Sequence, residues 1–177
     1  MSSQHNKDTV LRGWYEELWN RWNIAMADDL FTSDYLIHLP GVPAPMDRSG
    51  AKQVVQMFST AFPDLKHTVD EMIAEGESVA ARWTVHGTHQ GDFQGIAPTG
   101  KPVRLSGTTV HHMTDGKIVE TWLAFDSMDL LQQLGAGVRP AGMAGVGRVW
   151  MSASAHDHQP ARGGGRRRRV RGRVATR

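Results

Sequence analysis

The 177-residue chain contains no cysteine. That single absence excludes disulfides, cysteine–zinc sites and thiol nucleophiles. No apolar run approaches the roughly 20 residues needed to span a bilayer. Met1 to Asp8 is polar and offers no apolar stretch of the kind a secretory signal needs. A soluble cytoplasmic protein is the expectation. The usual phosphate-binding signature is missing too, because the Gly-rich run from Gly87 to Gly100 leads into a strand and not into a helix N-terminus. There is no nucleophile elbow.

Acid is scarce at one end. Residues 136–177 hold ten arginines and one acid, Asp157, a balance of +9. The whole chain carries +2, so +2 less +9 leaves −7 on residues 1–135. Two parts are expected: a mildly acidic folded domain over 1–135, and a Gly/Arg-rich, disordered basic tail over 136–177. The tail shows no aromatic interleaving, so nucleic acid is expected to meet it only non-specifically. The pI near 9.2 describes the tail and not the domain.

What is present reads as α+β. Hydrophobic residues make up 40%, enough for a core. Val10, Leu11, Trp14, Tyr15, Leu18, Trp19 and Trp22 fall on one half of a helix over 7–22. A short helix over 24–30 and a brief strand over 35–38 follow, stopped by Leu39-Pro40-Gly41. Ser49 is placed to cap a helix over 50–62, whose inward face carries Ala51, Val54, Val55 and Phe58. From Leu65 the period becomes alternating, with strands predicted over 66–74, 78–89, 102–113 and 117–125. Asp115-Gly116 marks a tight hairpin. Ser127, or Asp126 before it, is placed to cap a last helix ended by Gly135. Helices first and a four-strand meander after predict an α+β fold, a mainly antiparallel sheet with helices on one face. By parity Val79, Ala81, Trp83, Val85, Thr109 and His111 point inward, and His86 and His112 outward. A bulge at Gly87 or Gly107 would invert this locally.

Several ordered motifs resemble one family. They are the run Gly87-Thr88-His89 … Gly91 … Gly95 … Pro98-Thr99-Gly100, then Phe62-Pro63-Asp64-Leu65, Asp115-Gly116-Lys117-Ile118-Val119-Glu120-x-Trp122, Leu131 to Gly135, and Asp34-Tyr35 with His38. Together, over residues 8–135, they are similar to the SnoaL-like polyketide cyclases, also called ester cyclases, of the nuclear transport factor 2-like superfamily. The resemblance implies a strongly curved sheet that, with the helices, forms a cone enclosing an apolar pocket, and a homodimer or higher oligomer packed through the sheet. It implies aldol-type ring closure of a polyketide-like small molecule, with no metal or organic cofactor. Related folds open epoxides, and others only bind ligands or hold subunits together.

The family's catalytic aspartate follows the Trp of the last strand, and here that position is Leu123. A leucine exchanges no proton. His111, His38 and Asp126 are therefore the candidate acid/base groups, Asp126 having capping as its rival role. Trp14, Tyr15, Phe58, Thr109, Trp122, Leu123 and His89 are the candidate pocket residues, His89 also being placed to fix its loop. No metal is expected, since neighbouring His111 and His112 point to opposite faces. A non-catalytic ligand-binding or dimeric scaffold protein is the alternative, supported by Leu123. An epoxide-opening cyclase is the third reading, and it requires an inward carboxylate pair.

Overall fold

The computed structural model describes residues 2–136. The tail expected over 136–177 lies outside the described residues, except Ala136. The chain begins with α1 (Ser3–Thr9), which runs without a break into a π-helix (Val10–Trp19). Then come α2 (Met26–Leu30), β1 (Phe31–His38), β2 (Met46–Asp47) and α3 (Arg48–Ala61). The meander is β3 (Lys66–Glu75), β4 (Ser78–Thr88), β5 (Pro102–Thr114) and β6 (Lys117–Phe125), followed by α4 (Ser127–Leu134). Among the described residues no helix is long and apolar enough to cross a membrane.

The six strands form one sheet in the order β2-β1-β6-β5-β4-β3. All pairings are antiparallel except β1 with β6, which is parallel and sets His38 beside Trp122. Alternation builds this sheet, because successive side chains point to opposite faces. Val79, Ala81, Trp83 and Val85 of β4 are buried, as are Val103, Leu105, Thr109, His111 and Met113 of β5, while His86 and His112 are exposed. Thr84 departs from the pattern: it is on the outer face yet buried, donating to Asp70. The β5–β6 hairpin closes on Asp115-Gly116, both at positive φ (50° and 79°), the two-residue turn this dipeptide favours.

The irregularities fall elsewhere than at Gly87 or Gly107. They lie at Asp70 between Val69 and Glu71 in β3, at Val119 in β6 opposite the His112–Met113 step of β5, and between Phe31 and Leu36 in β1. Extra residues of this kind bend a strand and increase its twist. Gly107 has a different task. A Cβ there would stand 2.4 Å from Cζ2 of Trp83, so its absence makes room for the indole across the β4–β5 pair.

The helix expected over 7–22 differs from the structure in two ways. From Val10 its hydrogen bonding widens to the i→i+5 pattern, as in Asn20 N–H to the Tyr15 carbonyl at 2.9 Å. The wider turn rotates the faces, so Leu11 is 37% exposed while Gly13 is buried. The helix also ends before Trp22, which sits at φ 56°. The caps shift by one or two positions. Asp47, not Ser49, caps α3 by accepting from Gly50 N–H at 2.8 Å. Asp126 caps α4, accepting from Met128 and Asp129. Gly135, left-handed at φ 88°, ends α4, with Ala136 N–H returning to the Leu131 carbonyl.

Candidate functional site

The π-helix, α3 and the inner sheet face enclose a cavity. Its volume open to the centre of a water-sized sphere is about 40 Å³, and the whole recess, mouth included, holds about 530 Å³ of empty space. The wall carries the aromatic side chains of Trp14, Trp19, Phe58, Trp83 and Phe125 and the aliphatic ones of Leu39, Val54, Leu65, Val85, Leu105 and Leu123. Thr109 and His67 supply the hydroxyl and the imidazole.

His67 is the one titratable side chain lining the cavity among the described residues. It sits near the start of the edge strand β3, where its backbone is held by a side chain. Asn20 accepts from His67 N–H at 2.7 Å and donates to the His67 carbonyl at 3.1 Å. The imidazole lies among Trp19 (5.2 Å between ring centroids), Trp83 (5.3 Å) and Tyr15 (5.9 Å). Burial among these rings lowers its pKa from 6.5 to about 3, because the charged form loses its hydration. The residue keeps part of its surface open. At neutral pH it is an uncharged imidazole, one nitrogen a donor and the other an acceptor.

Three polar atoms on the lining residues have no hydrogen-bond partner among the described residues: His67 Nδ1, Trp19 Nε1 and Trp83 Nε1. Buried groups of this kind are uncommon, and each costs about 1–3 kcal/mol while unpaired. Thr109 is paired: its Oγ1 lies 2.6 Å from the Tyr15 hydroxyl. Tyr15 stands behind the wall, and burial raises its pKa against the opposing effect of the Thr109 bond, so the phenol keeps its proton. No group of three His, Asp or Glu side chains among the described residues is arranged to hold a metal ion.

The family model described as SnoaL-like polyketide cyclase matches residues 9–134. The chain belongs to the SnoaL-like polyketide cyclase family. Its α+β architecture is that family's cone. IdmH of Streptomyces antibioticus, a proposed polyketide cyclase, is 35% identical over 73% of this chain and 98% of its own, with a TM-score of 0.64. AclR of Streptomyces galilaeus, a proposed hydroxylase, is 30% identical over 76% of this chain and 87% of its own, with a TM-score of 0.69. A proposed polyketide cyclase from Acidithiobacillus ferrooxidans is 29% identical, covering 76% and 98%, at a TM-score of 0.67. No protein with a curated description matches the chain.

Against this family background the sequence candidates separate. Trp14, Phe58, Thr109 and Leu123 line the cavity. Tyr15 reaches it only through Thr109. His111 is fully buried but does not line the cavity. Its Nδ1 lies 3.0 Å from Thr121 Oγ1, and Trp14 covers it edge-on at 4.9 Å. Burial, with a smaller push from His112, lowers its pKa to about 3. His38 is on the outer face, stacked flat on Trp122 at 3.5 Å and 2°, and it donates to Glu120 at 2.8 Å. Trp122 is 49% exposed there and forms no part of the cavity wall. Parity explains both positions, since Thr121 and Leu123 take the inward positions of β6 and the parallel β1 pairing carries His38 outward beside Trp122.

Asp126 is engaged as the α4 cap, and the chain does not turn it inward. His89 is fully buried against Phe62 in its own loop, where its Nδ1 accepts from Thr99 N–H and its backbone closes the loop onto Gly100 and Lys101. His67, Trp19 and Trp83, each with a ring nitrogen unpaired among the described residues, line the cavity without having been singled out from the sequence, as do the apolar residues Leu39, Val54, Leu65, Val85, Leu105 and Phe125. His67 had a signal: Lys66, Thr68 and Asp70 are polar, and His67 and Val69 alternate with them on the other face.

Proposed function

We propose that this SnoaL-like protein is a cyclase or isomerase that acts on a polyketide-like or other apolar, carbonyl-bearing small molecule by acid/base chemistry. The observation that carries the reading is His67, a neutral imidazole set in an otherwise apolar cavity. In the proposed step His67 takes a proton from the carbon next to a carbonyl. The enolate carbon then forms a bond to a second carbonyl carbon of the same molecule, and the resulting alkoxide is protonated. Nothing is oxidised or reduced. The imidazole is a weak base at rest, but negative charge developing beside it favours the imidazolium and raises its pKa during the step. Donors left unpaired by the fold, the indole N–H groups of Trp19 and Trp83, favour a ligand that brings oxygen acceptors.

The elementary proton abstraction is testable without the natural substrate. Purified full-length chain is incubated with α-tetralone in heavy water, and loss of the α-proton signal is followed by NMR. Exchange faster than in buffer, and slowed by His67→Gln, is expected. Exchange no faster than in buffer overturns the catalytic reading.

A second reading, ligand binding without turnover, is supported by Leu123. Leu123, where the resemblance implies an aspartate, lines the cavity, and among the described residues no carboxylate lines that wall. Binding of α-tetralone without exchange would select it. The epoxide-opening reading finds no carboxylate pair lining the cavity among the described residues. We also propose a homodimer packed through the outer sheet face, which leaves Leu36, Val110 and Trp122 exposed as an apolar patch.

A further inference from the structure

The hydroxyls of Tyr15 and Thr109 lie 2.6 Å apart and share two protons, of which one bond uses only one. If Thr109 donates, the phenol proton is left without an acceptor among the described residues. Tyr15 and Thr109 are each 1% exposed to bulk water, but Tyr15 does not line the cavity, so neither solvent nor a cavity ligand supplies the missing partner. If Tyr15 donates, the remaining proton belongs to Thr109, whose side chain lines the cavity. A phenol is also the stronger donor of the two. Only this second arrangement pairs both protons once an acceptor occupies the cavity.

We infer that Thr109 is the hydrogen-bond donor that receives the carbonyl oxygen of the bound molecule, and that Tyr15 is the positioning residue that turns the Thr109 proton toward it. The inference rests on the carbonyl-ligand reading above and names the atom that holds the ligand. A hydroxyl that itself accepts a bond donates more strongly, and more so as negative charge grows on the receiving oxygen. Tyr15 is well anchored for the task. Its carbonyl accepts the π-helical bond from Asn20 N–H, and the Asn20 side chain in turn holds the backbone of His67. One short segment therefore sets both the donor and the imidazole.

The test compares α-tetralone with tetralin, which has the same rings and no carbonyl, on the full-length chain. Affinities are read from quenching of tryptophan fluorescence. The carbonyl stretch of bound α-tetralone is read by infrared difference spectroscopy. Wild type is expected to bind α-tetralone about 2- to 10-fold more tightly than tetralin, the worth of one net hydrogen bond, with the stretch shifted to lower frequency than in an apolar solvent. Thr109→Val is expected to abolish both the preference and the shift while tetralin affinity stays within a factor of two. Thr109→Ser restores both, and Tyr15→Phe gives a smaller shift with the carbonyl still bound. An unshifted stretch in wild type, or a shift unchanged in Thr109→Val, overturns the role of Thr109. A wild-type shift in Tyr15→Phe overturns the positioning role of Tyr15. Tetralin binding without any carbonyl preference defeats this inference alone, whereas failure of both compounds to bind wild type defeats the reading it rests on as well.

Discussion

The Asn20 side chain holds His67 at both backbone groups, accepting from its N–H and donating to its carbonyl. It acts as a surrogate strand at the edge of the sheet, where β3 has β4 on one side only. Two net hydrogen bonds contribute about 1–3 kcal/mol. Asn20→Ala is therefore expected to lower unfolding stability by that amount in urea titrations, and to weaken α-tetralone binding by loosening His67. An unchanged urea midpoint would show that the pair contributes nothing.

Acid should destabilise this fold through its buried histidines. The native state holds His111 near pKa 3, against 6.5 when unfolded. Between those values the unfolded chain binds a proton that the native chain refuses, so stability falls as pH drops from about 6.5 toward 3 and is independent of this group above 6.5. Each such group contributes a slope of about 1.4 kcal/mol per pH unit within the window. His111→Leu is expected to reduce the slope of unfolding free energy between pH 4 and 6 by about that much, whatever it does to stability at neutral pH. The same slope in wild type and variant would contradict the cause assigned here.

Leu123 lies on the cavity wall, at the position where the family resemblance implies a catalytic aspartate. An aspartate placed there meets an apolar lining, which raises a carboxyl pKa toward neutrality and so makes it a better base. Leu123→Asp should increase α-proton exchange of α-tetralone by ~10²-fold, the scale of one general base. Stability should fall by about 1–3 kcal/mol for the buried polar group. NMR exchange rates across pH 5–9 would check it, and a rate equal to wild type throughout would refute the expectation.

The stacked pair His38 and Trp122 belongs to the outer face, beside exposed Leu36 and Val110. If that face joins two copies, Trp122→Lys sets charge against charge across the interface. Sedimentation velocity is expected to show a dimer for wild type and mainly monomer for the variant, with the cavity still binding α-tetralone. A wild-type monomer at all accessible concentrations would eliminate the dimer.

Much of this molecule is local chemistry, and local chemistry is legible in residues. Asp115-Gly116 takes positive φ at both positions because those two residues tolerate it, so the hairpin and its register follow from the dipeptide. The alternation of Val79, Ala81, Trp83 and Val85 specifies one buried face, since a strand has only two. The π-register of Val10–Trp19 is not local in that sense: an α-helix and a π-helix present the same residue types, and packing against the sheet decides between them.

Depth is likewise a tertiary quantity. Parity turns His111 inward, yet Trp14 closes over it, while His67, two strands away at the sheet edge, keeps a path to the cavity. Alternation also assigns Trp122 and Leu123 to opposite faces without saying which faces the cavity. The parallel pairing of β1 with β6 settles that, placing Trp122 outside against His38 and Leu123 within. The residues alone carried the four-strand meander, the helices that cover it and the family resemblance. Which polar groups meet around the cavity was decided only by the folded sheet, because their separation in the chain carries no record of the curvature that brings them together.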